Sequence, residues 1–107
     1  MDSVVGNIAK EPELRFSDSG KAVLNLRVAL DIYPKPEEPV FMDVVVFGPL
    51  AENAAESLGK GSRIIASGEK KPRTWTGRDG VEHNEEELVA NALGAELRFV
   101  TAQLTKA

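Results

Sequence analysis

The chain has 107 residues, a formal net charge of −4, 42% hydrophobic residues and no cysteine. This length allows one domain with a modest core, and the hydrophobic content excludes a disordered chain. The lack of cysteine excludes disulfides and thiolate catalysis. Neither a secretory signal nor an apolar run long enough to span a membrane is present, so we expect a cytoplasmic protein.

The first residues predict a strand that is interrupted once. Residues 4–10 have extended character, and Gly6 within them marks a bend or bulge. The pair Glu11-Pro12 interrupts the ladder, after which residues 14–16 resume extended structure. We count these two pieces as one strand.

Residues 22–31 alternate between an apolar face and a mixed face, which predicts a half-buried second strand. Three prolines and two glutamates follow within residues 32–39 and predict a loop. Tyr33 lies at the root of this loop.

Residues 40–47 predict the third strand, around which the chain is organised. Because alternate side chains point to opposite faces, one face is wholly apolar. The other face carries Phe41, Asp43, Val45 and Phe47. It is interpreted either as a partly wet surface that presents two phenyl rings, or as a buried face on which a hydrogen bond satisfies Asp43.

A short helix follows the third strand. Pro49 suits a first helical position, and Leu50, Ala54 and Leu58 form a narrow apolar stripe. The glycines at 59 and 61 are predicted to close the helix in the left-handed conformation. A helix with so narrow a stripe is expected to plug one end of a closed sheet.

The rest of the chain predicts two more strands and a long connection. Residues 62–71 form the fourth strand and residues 86–92 the fifth, with a projecting connection over residues 72–85 that turns at Asp79-Gly80. Five strands, with one helix between the third and fourth, predict an all-β Greek-key barrel of the OB-fold type. We expect this barrel to take residues 3–92, and residues 93–107 to form a C-terminal extension.

Several short sequence segments resemble the bacterial single-stranded-DNA-binding protein family, and they occur in the same order from Val4 to about Ala92. They are Val5-Gly6-Asn7-Ile8 with Glu11-Pro12-Glu13-Leu14-Arg15-Phe16, Ser19-Gly20-Lys21-Ala22-Val23 with Asn25, Phe47-Gly48-Pro49-Leu50-Ala51-Glu52-Asn53, Lys60-Gly61-Ser62-Arg63 leading to Gly68, and Arg73-Thr74-Trp75 followed by Asp79-Gly80. The closing Leu97-Arg98-Phe99-Val100-Thr101-Ala102 resembles versions from actinobacteria or their phages.

The resemblance implies an OB-fold that binds single-stranded DNA without sequence preference and assembles as a homotetramer, with a dimer as the alternative. It places base-stacking aromatics at Phe41, Phe47 and Trp75, and more loosely at Tyr33. The implied roles are protection of DNA in replication, recombination and repair, in a bacterial cytoplasm and nucleoid or in a phage-infected host.

Three features depart from the family pattern. The chain ends at Lys106-Ala107 without the acidic tail that recruits partner proteins, so we expect no recruitment by that route. Asp43 stands where the family often has a basic residue, and residues 82–87 are unusually acidic.

Cations cluster around Trp75 and supply candidate phosphate contacts. These candidates are Arg27, Lys60, Lys70, Lys71, Arg73 and Arg78. Bases of a single strand stack on aromatic rings, while cations hold its backbone. The alternative interpretations are a hairpin clamp or subunit contact for Trp75 and ordinary solvated lysines and arginines for the cations.

The sequence therefore predicts sequence-nonspecific binding of single-stranded DNA. The alternative is an OB-type protein-interaction module of the replication machinery with weak DNA affinity, which the acidic residues favour. His83 is the one histidine and is predicted to be solvated, so we expect no metal site, no cofactor and no catalysis.

Overall fold

The computed structural model describes residues 1–107 and contains six strands and one helix. The elements in chain order are β1 (Asp2–Ile8), β2 (Glu13–Phe16), β3 (Ala22–Leu30), β4 (Phe41–Phe47), α1 (Gly48–Ser57), β5 (Arg63–Thr76) and β6 (Glu82–Ala95).

The sheet closes on itself. Its strand order is β1-β5-β6-β4-β3-β2, and an additional pairing between β1 and β3 completes a ring of hydrogen-bonded strands. Every pair in the ring is antiparallel except β4 with β6, which is parallel. This closed topology, with α1 between β4 and β5, confirms the predicted OB-fold barrel.

The strand count differs from the prediction because the first strand is divided. β1 pairs with Val28–Leu30 of β3, and β2 pairs with Ala22–Asn25 of the same strand. The two pieces therefore follow one another along β3, as a single interrupted strand does. The interruption falls on Pro12 and its neighbours, since proline has no N–H to donate to a ladder.

The core lies inside the ring and follows the predicted alternation. From β3 it takes Ala22, Leu24, Leu26 and Val28, and from β4 it takes Val44 and Val46. Ala51 and Ala54 of α1 are buried against it, so the helix closes one end of the barrel. This helix does not end in a left-handed glycine as predicted. Leu58 caps it in an extended conformation, and Gly61, with a φ of +90°, lies in the turn beyond.

The structure corrects the connection predicted over residues 72–85. β5 and β6 continue past the barrel as a two-stranded ribbon that pairs as far as Thr76 and Glu82. Only residues 77–81 form the turn, in which Gly80 has a φ of +78°. Because the side chains of the ribbon are almost all exposed, its sequence lacks the apolar alternation that marks a half-buried strand. No helix of the structure is long and apolar enough to cross a membrane.

An ionic cluster fixes the chain where it leaves β6. Arg63 donates hydrogen bonds to Asp31 at 2.8 Å and to Glu96 at 3.1 Å, and its guanidinium lies 5.4 Å from the centre of the Phe99 ring. A hydrogen bond from the backbone N–H of Arg98 lowers the pKa of Glu96 below its ordinary value of 4.5. Burial opposes this change, and the hydrogen bond from Arg63 adds to it.

Glu96 is therefore expected to make stability depend on pH in the acid range. A carboxylate whose pKa is lower in the folded than in the unfolded state stabilises the fold above its unfolded pKa. This contribution declines as the pH falls below about 4.5 and is lost once the pH passes below the folded pKa. Glu96→Gln is expected to be less stable than wild type at pH 7, and the difference in urea midpoint is expected to shrink as the pH falls through the acid range.

The control for this prediction is Glu56→Gln, which removes an exposed carboxylate from α1. Its midpoint is expected to differ from that of wild type by the same small amount at every pH. A difference between Glu96→Gln and wild type that stays constant from pH 7 to pH 3 would contradict the assignment.

Candidate nucleic-acid interface

The outer face of β4 is the partly wet surface that one interpretation of its sequence predicts. Phe41 and Phe47 are each 40% exposed, whereas Val44 and Val46 on the inner face are fully buried. The two rings lie six residues apart on one strand, which corresponds to about 20 Å. Asp43 lies between them as a partly exposed carboxylate, so β4 is not fully buried on both faces. Asp43 nevertheless accepts the hydrogen bond that the other interpretation expects, and Val45 on the same face is only 7% exposed.

A continuous series of contacts crosses three strands of this face. The Arg27 guanidinium of β3 lies over the Phe41 ring at 5.0 Å, and its Nη1 donates a 3.1 Å hydrogen bond to Oδ1 of Asp43. The other carboxylate oxygen of Asp43 lies 3.7 Å from Nη1 of Arg73 on β5. The two arginines and Phe41 therefore belong to one connected surface.

Trp75 ends this series at the base of the ribbon turn. The Arg73 guanidinium lies over its ring at 5.3 Å. The imidazole of His83, directly opposite on β6, stacks on the indole with centroids 5.0 Å apart and planes inclined by 16°. Trp75 therefore contacts the opposite strand of the ribbon. Because it is still 37% exposed, its aromatic ring is also accessible to a ligand.

Two open grooves meet at Arg27 and Asp43. One of about 510 Å³ crosses the outer face of the sheet, and we call it the outer groove; its lining comprises Lys10, Asn25, Leu26, Arg27, Asp43, Val45, Arg73 and Glu87. The other, of about 440 Å³, lies where β4 and β6 diverge, and we call it the strand cleft. Its lining comprises Arg27, Phe41, Met42, Asp43, Pro72, Thr74, Asn84, Glu85 and Glu86. Most of the residues that line each groove are polar, and only a few are apolar.

Some predicted site residues lie on the same face but outside this series. Lys71 alternates with Arg73 and Trp75 on β5, and it is paired with Glu87 across the ribbon. Phe47 lies at the far end of β4, where Lys21 covers its ring at 5.0 Å.

The structure does not bring the remaining candidates to this face. Lys70 alternates with Lys71 and lies on the opposite side of the ribbon. Lys60 lies in the turn between α1 and β5, where its backbone N–H approaches the carboxylate of Glu11 at 3.4 Å. Arg78 lies in the ribbon turn, and Tyr33 is 96% exposed in the loop between β3 and β4.

Three residues of the interface were not predicted from the sequence. Lys10 lines the outer groove, Lys21 covers Phe47, and His83 stacks on Trp75. The sequence could have indicated His83, because Trp75 and His83 are both four residues from Asp79 in the predicted turn. Residues at equal distances from a hairpin turn are paired across its two strands. His83 is exposed to solvent, as predicted, but it lies on β6 rather than in a loop and stacks on Trp75. The structure contains no group of three or more histidine, cysteine, aspartate or glutamate side chains that could hold a metal ion.

A closed barrel with a helix at one end, whose outer face carries accessible rings and arginines, defines an OB-fold of the oligonucleotide-binding class. The chain belongs to the Single-strand binding protein family, whose model matches residues 3–99. It is similar to "Single-stranded DNA-binding protein 2" of Streptomyces coelicolor, with 41% identity over 97% of the chain. It is also similar to the single-stranded DNA-binding proteins of Mycobacterium leprae and Mycobacterium tuberculosis, with 38% and 39% identity over 98% of the chain.

These relatives are longer than the chain, which spans 56%, 67% and 69% of their respective lengths. They come from actinobacteria, in agreement with the resemblance of the closing residues.

Proposed function

We propose that this chain binds single-stranded DNA without sequence preference and protects it during replication, recombination and repair. The observation that carries the proposal is the series of contacts from Phe41 through Arg27, Asp43 and Arg73 to Trp75 on an open outer face. Every base has a flat face that can stack on a ring, so such a surface tolerates any sequence. Family membership and the names of the relatives support the same function.

In this function the rings and the cations have separate roles. Phe41, Phe47 and Trp75 stack bases, while Arg27, Arg73 and Lys71 hold phosphates on the same face. Tyr33, Lys60, Lys70 and Arg78 lie off this face and contact only DNA that continues beyond the grooves. The function is binding rather than catalysis, and its place is the cytoplasm and nucleoid of a bacterium or of a phage-infected host.

The protein acts as a homo-oligomer, with a tetramer favoured over a dimer. The pairing of β1 with β3 is confined to Gly6–Ile8, which leaves one edge of residues 2–4 without a partner strand. Leu97 and Phe99 are 56% and 75% exposed, more than is usual for large apolar side chains without a partner. Light scattering across a range of concentrations tests the assembly.

A protein-interaction module with weak DNA affinity is the second candidate. The acidic side chains of residues 82–87 favour it, because Glu82, Glu85 and Glu86 are exposed along the ribbon, Glu87 is half-buried, and all four repel phosphates. A pull-down of replication proteins without any shift of an oligonucleotide would support this candidate against the first.

Titration with oligo-dT is expected to quench the fluorescence of Trp75, the only tryptophan of the chain. Stacking of a base on the indole is the cause, and added salt is expected to reverse it. If Lys71 and the Arg27–Asp43–Arg73 group, which carries one net positive charge, each neutralise one phosphate, log K should fall against log[salt] with a slope of about −1.4. A folded protein whose fluorescence does not change at low salt would count against the proposed function.

A further inference from the structure

Asp43 occupies the middle of the proposed DNA-binding face, between two arginines. One carboxylate oxygen accepts a hydrogen bond from Arg27 at 3.1 Å, and the other lies 3.7 Å from Arg73. The Asp43 side chain is 24% exposed, while those of Arg27 and Arg73 are 36% and 54% exposed. A ligand approaching from solvent can therefore reach both guanidinium groups beside the carboxylate.

A carboxylate presents to a guanidinium the same arrangement of two anionic oxygens that a phosphate presents. The Asp43 carboxylate therefore occupies a site at which both arginines could bind one phosphate. The carboxylate leaves the three side chains with one net positive charge, whereas the arginines alone would carry two. It also repels any phosphate that enters the outer groove.

We propose that Asp43 is an internal substitute for a DNA phosphate, which holds Arg27 and Arg73 in the free protein and limits the affinity for single-stranded DNA. This inference rests on the proposed function. On binding, a phosphate takes over the guanidinium groups from the carboxylate. The arginines then change partners without leaving the rings of Phe41 and Trp75, where they already lie.

A purely structural role does not account for this arrangement. Ion pairs between partly exposed side chains contribute little to stability. The carboxylate lines both grooves at the point where they meet, and its two oxygens face Arg27 of β3 and Arg73 of β5. Asp43 is thus a residue that tunes affinity rather than one that holds the barrel together.

The test is Asp43→Asn, an isosteric change that removes the charge. Binding of labelled oligo-dT is followed by fluorescence anisotropy over a range of salt concentrations. We expect the dissociation constant near 0.1 M salt to fall by roughly three- to tenfold, because one repulsion is removed and two arginines are released. The slope of log K against log[salt] should become more negative by about 0.7, the value for one further neutralised phosphate.

Two further variants define the cause of the gain. Glu56→Gln makes the same change in net charge on α1, outside both grooves, and should change affinity much less than Asp43→Asn. In an Arg73→Gln background the gain from Asp43→Asn should shrink, since one of the released arginines is absent.

The outcomes separate this inference from the proposed function. A wild-type protein that does not bind oligo-dT at low salt contradicts the proposed function itself. A wild-type protein that binds, beside an Asp43→Asn variant with equal or weaker affinity and an unchanged salt slope, overturns the inference alone. An equal gain from Glu56→Gln also overturns it, because net charge would then explain the effect.

Discussion

Replacing Gly68 with alanine is expected to destabilise the barrel by about 3 kcal/mol, at the upper end of the usual cost of overpacking. A Cβ atom at this position would lie 1.9 Å from the carbonyl oxygen of Val89 and 2.8 Å from the Cα of Ala90. Both atoms belong to the backbone of β6, so no side chain can rotate out of the way. One of the two strands must shift, at the irregular register where they meet between Ser67 and Gly68.

Thermal unfolding followed by circular dichroism provides the measurement. In a domain of about this size each 1 kcal/mol changes the melting temperature by roughly 4–8 °C, so Gly68→Ala should melt about 15 °C lower than wild type. A variant that does not fold at all agrees with the same prediction.

Gly94→Ala is the matched control because Gly94 lies in β6 opposite Ile65 of β5, in the same pair of strands. A Cβ atom there meets nothing within 4 Å, and the backbone does not have a positive φ. We expect its melting temperature to change by only a few degrees, since alanine also reduces the entropy of the unfolded chain. Equal melting temperatures for the two alanine variants would show that the strands at Gly68 separate at little cost.

The fold could be predicted because its determinants are local. Alternation over residues 22–30 and 41–47 separates an inner from an outer face. The burial of β3 follows it, and so does that of β4 except at Val45, which is buried on the outer face. Pro49 and the apolar stripe indicate the helix, and glycines within two strands indicate irregularities. Gly68 indeed lies at a bulge, and Gly6 lies against the backbone of Ala29, where a Cβ would meet the carbonyl oxygen at 2.2 Å.

The ribbon could not be predicted as two strands, because its stability comes from pairs across strands rather than from a buried face. Arg73 is opposite Glu85, and Trp75 is opposite His83. Opposite charges and stacked rings in such positions stabilise paired strands. These pairs appear in the sequence only once the register is known, and the register depends on the position of the turn.

The candidate site was predicted in its residue types but only partly in its arrangement. The acidic character of Asp43 indicates weak binding, yet the sequence does not show that an arginine of β3 and an arginine of β5 converge on it. The placement of Lys70 on the other side of the ribbon has a related reason. In a ribbon, adjacent residues point to opposite sides, so Lys70 and Lys71 cannot both lie on the face of Trp75.

Replacing Trp75 with alanine is expected to weaken binding of single-stranded DNA more than any other single change on this face. A base stacked on an aromatic ring contributes about 1–3 kcal/mol, which corresponds to a loss of roughly five- to 150-fold in affinity. Trp75→Phe keeps a ring in place and should recover most of the loss. Because alanine removes the only tryptophan, binding is measured by the anisotropy of a labelled oligo-dT.

The salt dependence distinguishes the loss of a stacked base from the loss of a phosphate contact. Trp75 carries no charge, so Trp75→Ala should lower log K by the same amount at every salt concentration and leave the slope unchanged. A loss of slope would mean instead that Arg73 had moved when its ring was removed, since the guanidinium lies 5.3 Å above the indole.

Phe16→Ala supplies the matched control for the loss of an exposed aromatic ring. Phe16 is 59% exposed, and it is paired with Ala22, whose side chain is buried, so the ring lies on the inner rather than the outer side of the sheet. Its removal should leave oligo-dT affinity within about twofold of wild type, because no base stacks on it. Unchanged binding by a folded Trp75→Ala variant would contradict the stacking role of this face, whatever the arginines contribute.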